Sequence, residues 1–490
     1  MNILLVWPSD PPTFWSFSHV LPFVAKKSAY PPLGLLTVAA MLPKSWNQRL
    51  VDLNVRSLRD ADLDWADYVF ISAMIIHADS AKQIVARCIA RNKPVIAGGP
   101  LFTTGHERFP EIKHFVLGEA EDLMAGVAAD MVRGDVKPHY RSAVRPDVTN
   151  TPIPRWDLLQ KSQYVTMPLQ FSRGCPFNCE FCDIIVMNGR IPRVKTPQQM
   201  IGELEALLAT GWDESVFIVD DNFIGNKVKV KAFLRELVSW RRNRKVSLPF
   251  TTEASLNLAD DAELLDLMVQ AGFKKVFVGI ESPSHESLTE CAKVQNSSRD
   301  MAASVRLIHK AGIEVMGGFI VGFDSDGPSI FERQRRFIEE TGIVTAMVGL
   351  LTALPETRLF HRLREEGRLL AHSTGNNLDA VLNFIPKLDR ETLIEGYRDL
   401  VKRIYTPREY YQRVLTFLRD YRPSGPKVRL TQSDLRAFFQ SLWTLGIRTR
   451  GRMEFWKFTT RALVSHPRAF SEAMAMAITG YHFRQVAGTI

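Results

Sequence analysis

Short apolar runs alternate with amphipathic stretches along most of the chain, and this alternation sets the expected architecture. Asn2–Trp7 is an apolar run ending in Pro8-Ser9-Asp10-Pro11-Pro12, which reads as a strand followed by a break. Leu33–Met41 has helical composition, and residues 46–53 and Tyr68–Ser72 read as two more strands. A helix near 80–91, a fourth strand entering Gly98-Gly99 and a fifth at 114–118 complete a first unit. Strands alternating with helices predict a doubly wound parallel sheet over residues 1–140, with ligands at the carboxyl ends of its strands. Gly98 and Gly99 stand at such an end, where a missing side chain lets a ligand approach the backbone.

X-Pro steps make 141–164 an extended linker. From 165 to 355 the apolar runs fall at 166–171, 215–219, 248–252, 275–280, Glu314–Val321 and 344–351. Helical stretches at 197–208, 227–241, 261–271 and Met301–Ala311 separate them, which predicts a partial (β/α)6 barrel. Beyond 356, apolar residues recur at three- and four-residue steps, and helices are expected at 389–402, 407–419, 433–445, 454–464 and 467–479. Thr406-Pro407 and the stretch from Thr431 to Asp434 are their plainest start signals. The expected fold is α/β: a Rossmann-like domain, a linker, a barrel and a helical C-terminal domain at 356–490.

A hydrophobic share of 46% and a charged share of 23% over 490 residues fit an ordinary globular chain large enough for about three cores. Five cysteines, three of them clustered, make no disulfide framework and point to a reducing compartment. Met1–Trp7 has no basic flank, and no run approaches the roughly 18 apolar residues of a spanning helix, so the expected location is cytoplasmic. The net charge of +9 is uneven: residues 421–490 hold eleven Lys and Arg against three Asp and Glu. Phe438, Phe439, Trp443, Phe455, Trp456 and Phe458 interleave with that charge. Such a pattern serves as helical core, as a solvated face or as a peripheral surface at the inner face of a membrane. No nucleic acid is expected.

Cys175, Cys179 and Cys182 are spaced C-x3-C-x2-C in a loop that follows the first barrel strand. Thiolates this close suit a soft metal or an iron–sulfur cluster, and three on a cubane leave one iron open. A zinc knuckle completed by a distant histidine is the competing reading. The following strand ends carry Asp220-Asp221-Asn222, Glu253 with Ser255, Glu281, and the glycines Gly317, Gly318 and Gly322. Carboxylates there accept bonds from a ribose or an ammonium, and glycines permit close stacking; N-caps and turns account for the same residues one at a time. Arg173, just before the loop, has an anionic ligand or a neighbouring acid as its partner.

The C-x3-C-x2-C loop, with Phe181 before its last cysteine, resembles the signature of radical S-adenosylmethionine (SAM) enzymes. The first unit has no dinucleotide fingerprint and resembles the cobalamin-binding domain that precedes many of them. The matching pieces are the loop from Tyr30 through Pro32 to Gly34, the loop from Ser72 to His77, Gly98-Gly99, and Gly118-Glu119-Ala120-Glu121. No D-x-H-x-x-G motif is present, so cobalt without a protein histidine ligand is expected, although His77 lies in the loop beneath the corrin. The resemblance implies a [4Fe–4S] cluster on the three cysteines and the SAM amino group at Asp220–Asn222, the place of the family's G-G-E. It implies SAM ribose and carboxylate near Glu253 and Ser255, with Glu281 a further candidate, and adenine along Gly317–Gly322. The helical tail resembles that of a subfamily of cobalamin-dependent radical SAM methyltransferases that includes the hopanoid C-2 methylase. The implied activity is methylation of an unactivated carbon of a small molecule, lipids such as hopanoids included, through methylcobalamin and a 5′-deoxyadenosyl radical. An external donor such as flavodoxin or ferredoxin would supply electrons. Cyclisation or rearrangement without methyl transfer, or a non-enzymatic sensor, are the alternatives.

Overall fold

The computed structural model describes residues 1–376, 378–425 and 432–490. The first sheet contains β1 (Asn2–Trp7), β2 (Asn47–Asp52), β3 (Tyr68–Ser72), β4 (Val95–Gly98), β5 (His114–Leu117) and β6 (His139–Arg141). All pairings are parallel and the order is β2-β1-β3-β4-β5-β6. The chain therefore reverses direction across the sheet between β1 and β3, the position where doubly wound sheets open a ligand crevice. β6 was not expected. Its His-Tyr-Arg sequence is too short and polar for a periodicity signal, and it covers the predicted boundary at 140.

β7 (Thr166–Leu169) leads into a small antiparallel hairpin of β8 (Ser172–Arg173) and β9 (Arg193–Val194), which brackets the cysteine loop. β10 (Ser215–Ile218), β11 (Phe250–Glu253), β12 (Phe273–Glu281), β13 (Glu314–Val321) and β14 (Ala346–Leu350) join β7 in a second all-parallel sheet, order β14-β13-β12-β11-β10-β7. Sequential neighbours throughout give the curled open barrel that the repeats predict. Its helices start and stop on local chemistry. Thr196 caps Pro197–Ala209, Asp300 caps Met301–Ala311, and Gly312 ends the latter at φ +96°. Helices Ile330–Thr341 and Arg358–Glu365 escape the sequence reading because charged residues crowd their apolar stripes.

The tail forms helices Arg390–Ile404, Pro407–Asp420, Gln432–Trp443, Arg452–Ser465 and Phe470–Ala487. Thr431, an expected helix start, lies outside the described residues. The aromatic stripe divides: Phe455 and Phe458 are buried, the latter stacked on Tyr411 at 4.8 Å, whereas Phe439, Trp443 and Trp456 face outward. The segment after β1 crosses the barrel and returns to this tail. Trp15 donates to the Met347 sulfur at 3.0 Å and meets the Phe277 ring edge-on, while Phe14 stacks on Phe483 at 4.2 Å.

Candidate functional site

The cysteine loop is fixed from four sides. Phe171 and Ser172 donate backbone N–H groups to Asp220, each at 2.8 Å, and the Ser172 hydroxyl donates to the same carboxylate at 2.6 Å. Gly174 N–H and Asn188 Nδ2 donate to Asp221, each at 2.9 Å. Gly174 sits at φ +100°, and a Cβ there would lie 2.9 Å from the Gly189 carbonyl, so this turn requires glycine. Asp220 was expected to address a ligand's amino group; it is instead turned back into the loop's own backbone. Burial pushes its carboxyl up to about 7 in spite of these donors.

From the first sheet, Glu119 and Glu121 at the end of β5 each meet the Arg173 guanidinium at 2.7 Å, and Arg193 meets Glu119 at 2.6 Å. Arg173 thus takes its neighbouring acids. The latch places the carboxyl end of β5 directly against the hairpin that brackets the cysteines. On the far side Glu180 accepts a two-pronged bond from Arg362 at 2.7 and 3.1 Å, and its N–H donates to the Cys291 carbonyl at 2.9 Å.

Around the thiols, Asn222 Nδ2 lies 3.8 Å from Cys175 Sγ and Gln295 Nε2 lies 3.9 Å from Cys179 Sγ. Burial pushes the Cys179 and Cys182 thiols up, and the Lys293 cation pulls both back. Lys293 is itself buried, which opposes its charge, yet Glu281 at 2.5 Å and the nearby Cys179 hold it above the ordinary lysine range. Glu281, expected near a ligand, is committed to this pair and adopts φ +64°. Cys291 directs its thiol to the Leu288 carbonyl at 3.6 Å, and Cys88 is buried in the first core. Among the described residues no three His, Cys, Asp or Glu side chains converge on a single ion. A cubane cluster, with one thiolate per iron, needs no such convergence, and three thiols with nearby amide donors and one cation fit it.

Strands β10, β11 and β12 alternate buried residues with half-buried ones, and the half-buried set faces the hollow side of the curled sheet. Phe217, Glu253 and Phe277 belong to it. Tyr30, from the loop before Leu33–Met41, reaches in to 6.2 Å from the Phe217 ring. Burial, reinforced by Asp221 and Asp220, pushes Glu253 up to about 8. Ser255 accepts from Asn222 Nδ2 at 3.2 Å and bonds Asn257 at 2.6 Å, so Asn222, Ser255 and Cys175 form one chain of contacts. A buried carboxyl at Glu253 with Asp220 and Asp221 nearby is suited to a cation, which the sulfonium and ammonium of SAM would supply. The three glycines divide. A Cβ on Gly318 would strike the Phe277 ring at 2.8 Å inside the hollow, one on Gly317 the Phe319 ring at 2.7 Å on the helix-covered side, and Gly322 abuts Leu393. Gly317 therefore makes room for core packing.

At the switch point of the first sheet, His77 is buried with both ring nitrogens engaged. Nε2–H donates to Asp10 at 2.6 Å and Nδ1 accepts from Met74 N–H at 3.2 Å. Gly99 has φ +89°, and a Cβ there would meet the Ser72 hydroxyl at 2.6 Å; the protein itself demands this glycine. Gly98 is confined by the Val116 carbonyl in the same way. By contrast, Gly34, just beyond the buried Pro32, and Gly118 open onto free space, the kind of cradle a large planar ligand needs. His77→Ala is expected to leave the electron paramagnetic spectrum of bound cob(II)alamin unchanged. A nitrogen superhyperfine splitting lost in the variant would contradict this.

Sequence reasoning missed Lys293, Gln295, Arg362 and the Glu119–Glu121 latch. Only the latch carried a signal, since its acids belong to the Gly118–Glu121 motif already singled out.

Two carboxyl-end sites on parallel sheets, one with a three-cysteine loop, are the layout expected of a protein that combines cobalamin with radical SAM chemistry, and the family matches carry that class. Residues 169–338 match the radical SAM superfamily, 24–128 a B12 binding domain and 357–490 a domain of unknown function. An uncharacterized methyltransferase of Synechocystis sp. is 42% identical, over 99% of this chain and 92% of its own. The hopanoid C-2 methylase of Rhodopseudomonas palustris is 36% identical, over 94% and 89% respectively. The fold is shared with the cobalamin-dependent SAM radical enzyme OxsB (TM-score 0.65, 16% identity, 100% of this chain and 80% of that one). It is shared also with the radical SAM methyltransferase TsrM of Kitasatospora setae (TM-score 0.61, 18% identity, 97% and 98%). The chain belongs to the cobalamin-dependent radical SAM methyltransferase family, in the subfamily with a helical C-terminal extension that includes the hopanoid C-2 methylase. Its cofactors are a [4Fe–4S] cluster, SAM and cobalamin, and it is a C-methyltransferase. Among the described residues no helix is long and apolar enough to cross a membrane.

Proposed function

We propose that this methyltransferase acts on an unactivated carbon of an apolar, membrane-derived small molecule of the polycyclic triterpenoid class. The Arg173 latch supports the reading, because it ties the carboxyl end of β5 to the hairpin that brackets the cysteines, so that a radical and a methyl donor bound at these two ends would lie close together. The aromatic lining of Trp15, Tyr30, Phe217 and Phe277 suits an apolar guest, and the hopanoid C-2 methylase supplies the substrate class by analogy. In this reading residues 1–140 hold cobalamin, 141–164 link, 165–355 hold the cluster and SAM, and 356–490 cover the barrel. Cys175, Cys179 and Cys182 ligate the cluster; Asn222, Glu253 and Ser255 hold SAM. Pro32, Gly34 and Gly118 border cobalamin. A small flavodoxin- or ferredoxin-like protein supplies electrons.

When bound, these groups supply the radical and the methyl group; the chain's part is placement and exclusion of water. Asp220, Asp221 and Arg362 hold the cysteine loop rigid. Lys293 balances thiolate charge, and Glu253 takes a charge once a cation arrives. Burial pushes the Glu253 carboxyl up to about 8, so in this reading a SAM cation bound beside it draws off its proton. Affinity is therefore expected to rise as pH climbs from 6 to 8, by up to about tenfold per unit, and to level off above. Isothermal titration should show this slope, and Glu253→Gln should flatten it. A flat wild-type profile would remove Glu253 from the SAM site.

The substrate reading is tested by comparing lipid extracts of a wild-type host with those of a deletion strain. A polycyclic lipid one methylene heavier in the wild type supports it; a difference confined to water-soluble metabolites replaces it with a polar substrate.

A further inference from the structure

Large apolar side chains that stay exposed are scattered singly over most of this protein, but they crowd one face of the C-terminal helices. Leu435, Phe439 and Trp443 fall at successive four-residue steps on Gln432–Trp443, while Ala437 and Ser441 on the same helix are buried. Phe439 is 65% exposed and Trp443 57%. Ile447 continues the row. Met453 and Trp456 start a second one on Arg452–Ser465, which turns Phe455, Phe458 and Ala462 inward. All the exposed Phe and Trp side chains among the described residues lie on this face. Helix packing has thus satisfied its own needs with one set of residues and left another, equally apolar, in solvent. A solvated face calls for no such residues.

Exposed Arg448, Arg450, Arg452 and Lys457 stand among them, in the segment that holds nearly all the chain's excess positive charge. We infer that helices Gln432–Trp443 and Arg452–Ser465 form a docking face for an anionic lipid bilayer, lying on the surface and not across it. The charge selects the occupant: anionic headgroups meet the basic residues while the aromatic rings enter the acyl boundary. No described helix could span the bilayer. The helix that carries this face is also tied, through its buried side, to the barrel. Ala437 packs on Phe23, and the same N-terminal segment leads back through Phe17 to Trp15 against Phe277 and Met347. The inference rests on the lipid-substrate reading for its purpose, though not for its test.

Full-length protein with its cofactors is sedimented with phosphatidylcholine vesicles, with or without phosphatidylglycerol, at low and high salt. The expected result is capture by the phosphatidylglycerol vesicles, weakened by salt. Phe439→Ser/Trp443→Ser should cut it at least about tenfold, and Arg450→Glu/Lys457→Glu should remove the preference for phosphatidylglycerol. Both variants change exposed side chains, so their circular dichroism and SAM cleavage should match the wild type. Equal, salt-insensitive partitioning of the wild type, or undiminished binding of the Phe439/Trp443 variant, overturns the inference. So does a solution dimer that this variant dissolves, which would assign the face to a second copy. Because the vesicles contain no substrate, failure here leaves the lipid-extract comparison standing, and failure there leaves this one standing.

Discussion

Anaerobically reconstituted protein should carry about four irons per chain, and replacing any one of Cys175, Cys179 or Cys182 by Ala should reduce SAM cleavage to background. The expectation follows from the loop's construction. Its backbone is pinned by Asp220 and Asp221, and its flanks are pinned by the Arg173 and Glu180 ion pairs. No neighbouring cysteine can swing in as a substitute. Cys291 is the nearest alternative, and its thiol is already directed at the Leu288 carbonyl inside a packed turn. Cys88 lies in a different core. Cys88→Ala and Cys291→Ala should therefore keep both iron and SAM cleavage. Loss of iron from Cys291→Ala alone would show that the cluster's thiolate set has been misassigned.

The parts of the site that were legible in the sequence are those encoded locally. The cysteine spacing and the strand that precedes it lie within a few residues of one another, and each later acid directly follows its own apolar run, so periodicity locates them. What supports the loop was not legible, because it arrives from far along the chain. Arg362 is 182 residues from Glu180, and Arg193 is 74 from Glu119. An arginine on an amphipathic helix carries no mark of the acid it will meet. Individual roles also shifted where composition fits two uses. A glycine signals close approach but not by what, so Gly99 and Gly317 read as ligand cradles although the Ser72 hydroxyl and the Phe319 ring claim the space. An aspartate at a strand end signals a polar contact but not its direction, and Asp220 points back into its own loop. The fold was more legible than the site because its information is repeated. Six apolar runs alternating with helical stretches reinforce each other, whereas the three residues of β6 do not.

Lys293→Met should destabilise the iron-free protein by about 3–5 kcal/mol, more than a hundredfold in the folding equilibrium. Lys293 and Glu281 are each about nine-tenths removed from solvent at their side chains, with 11% and 8% exposed, and their charged ends are 2.5 Å apart. Removing the ammonium leaves a carboxylate buried beside the cysteine loop, and few groups can take its place. Gln295 and Asn296 nearby are occupied with Cys179 and with the Gly279 and Ile280 carbonyls. Glu281 cannot rotate away cheaply either, because its backbone at φ +64° is held by the β12 ladder. A buried pair is costly to break but not costly to replace. Lys293→Met combined with Glu281→Gln removes both charges at nearly constant volume and should recover most of the loss. Urea unfolding followed by tryptophan fluorescence separates the cases. A single-variant loss below about 1 kcal/mol, the range of exposed pairs, would mean that water reaches Glu281, and a double variant no better than the single would mean that packing around the Lys293 stem carries the stability instead.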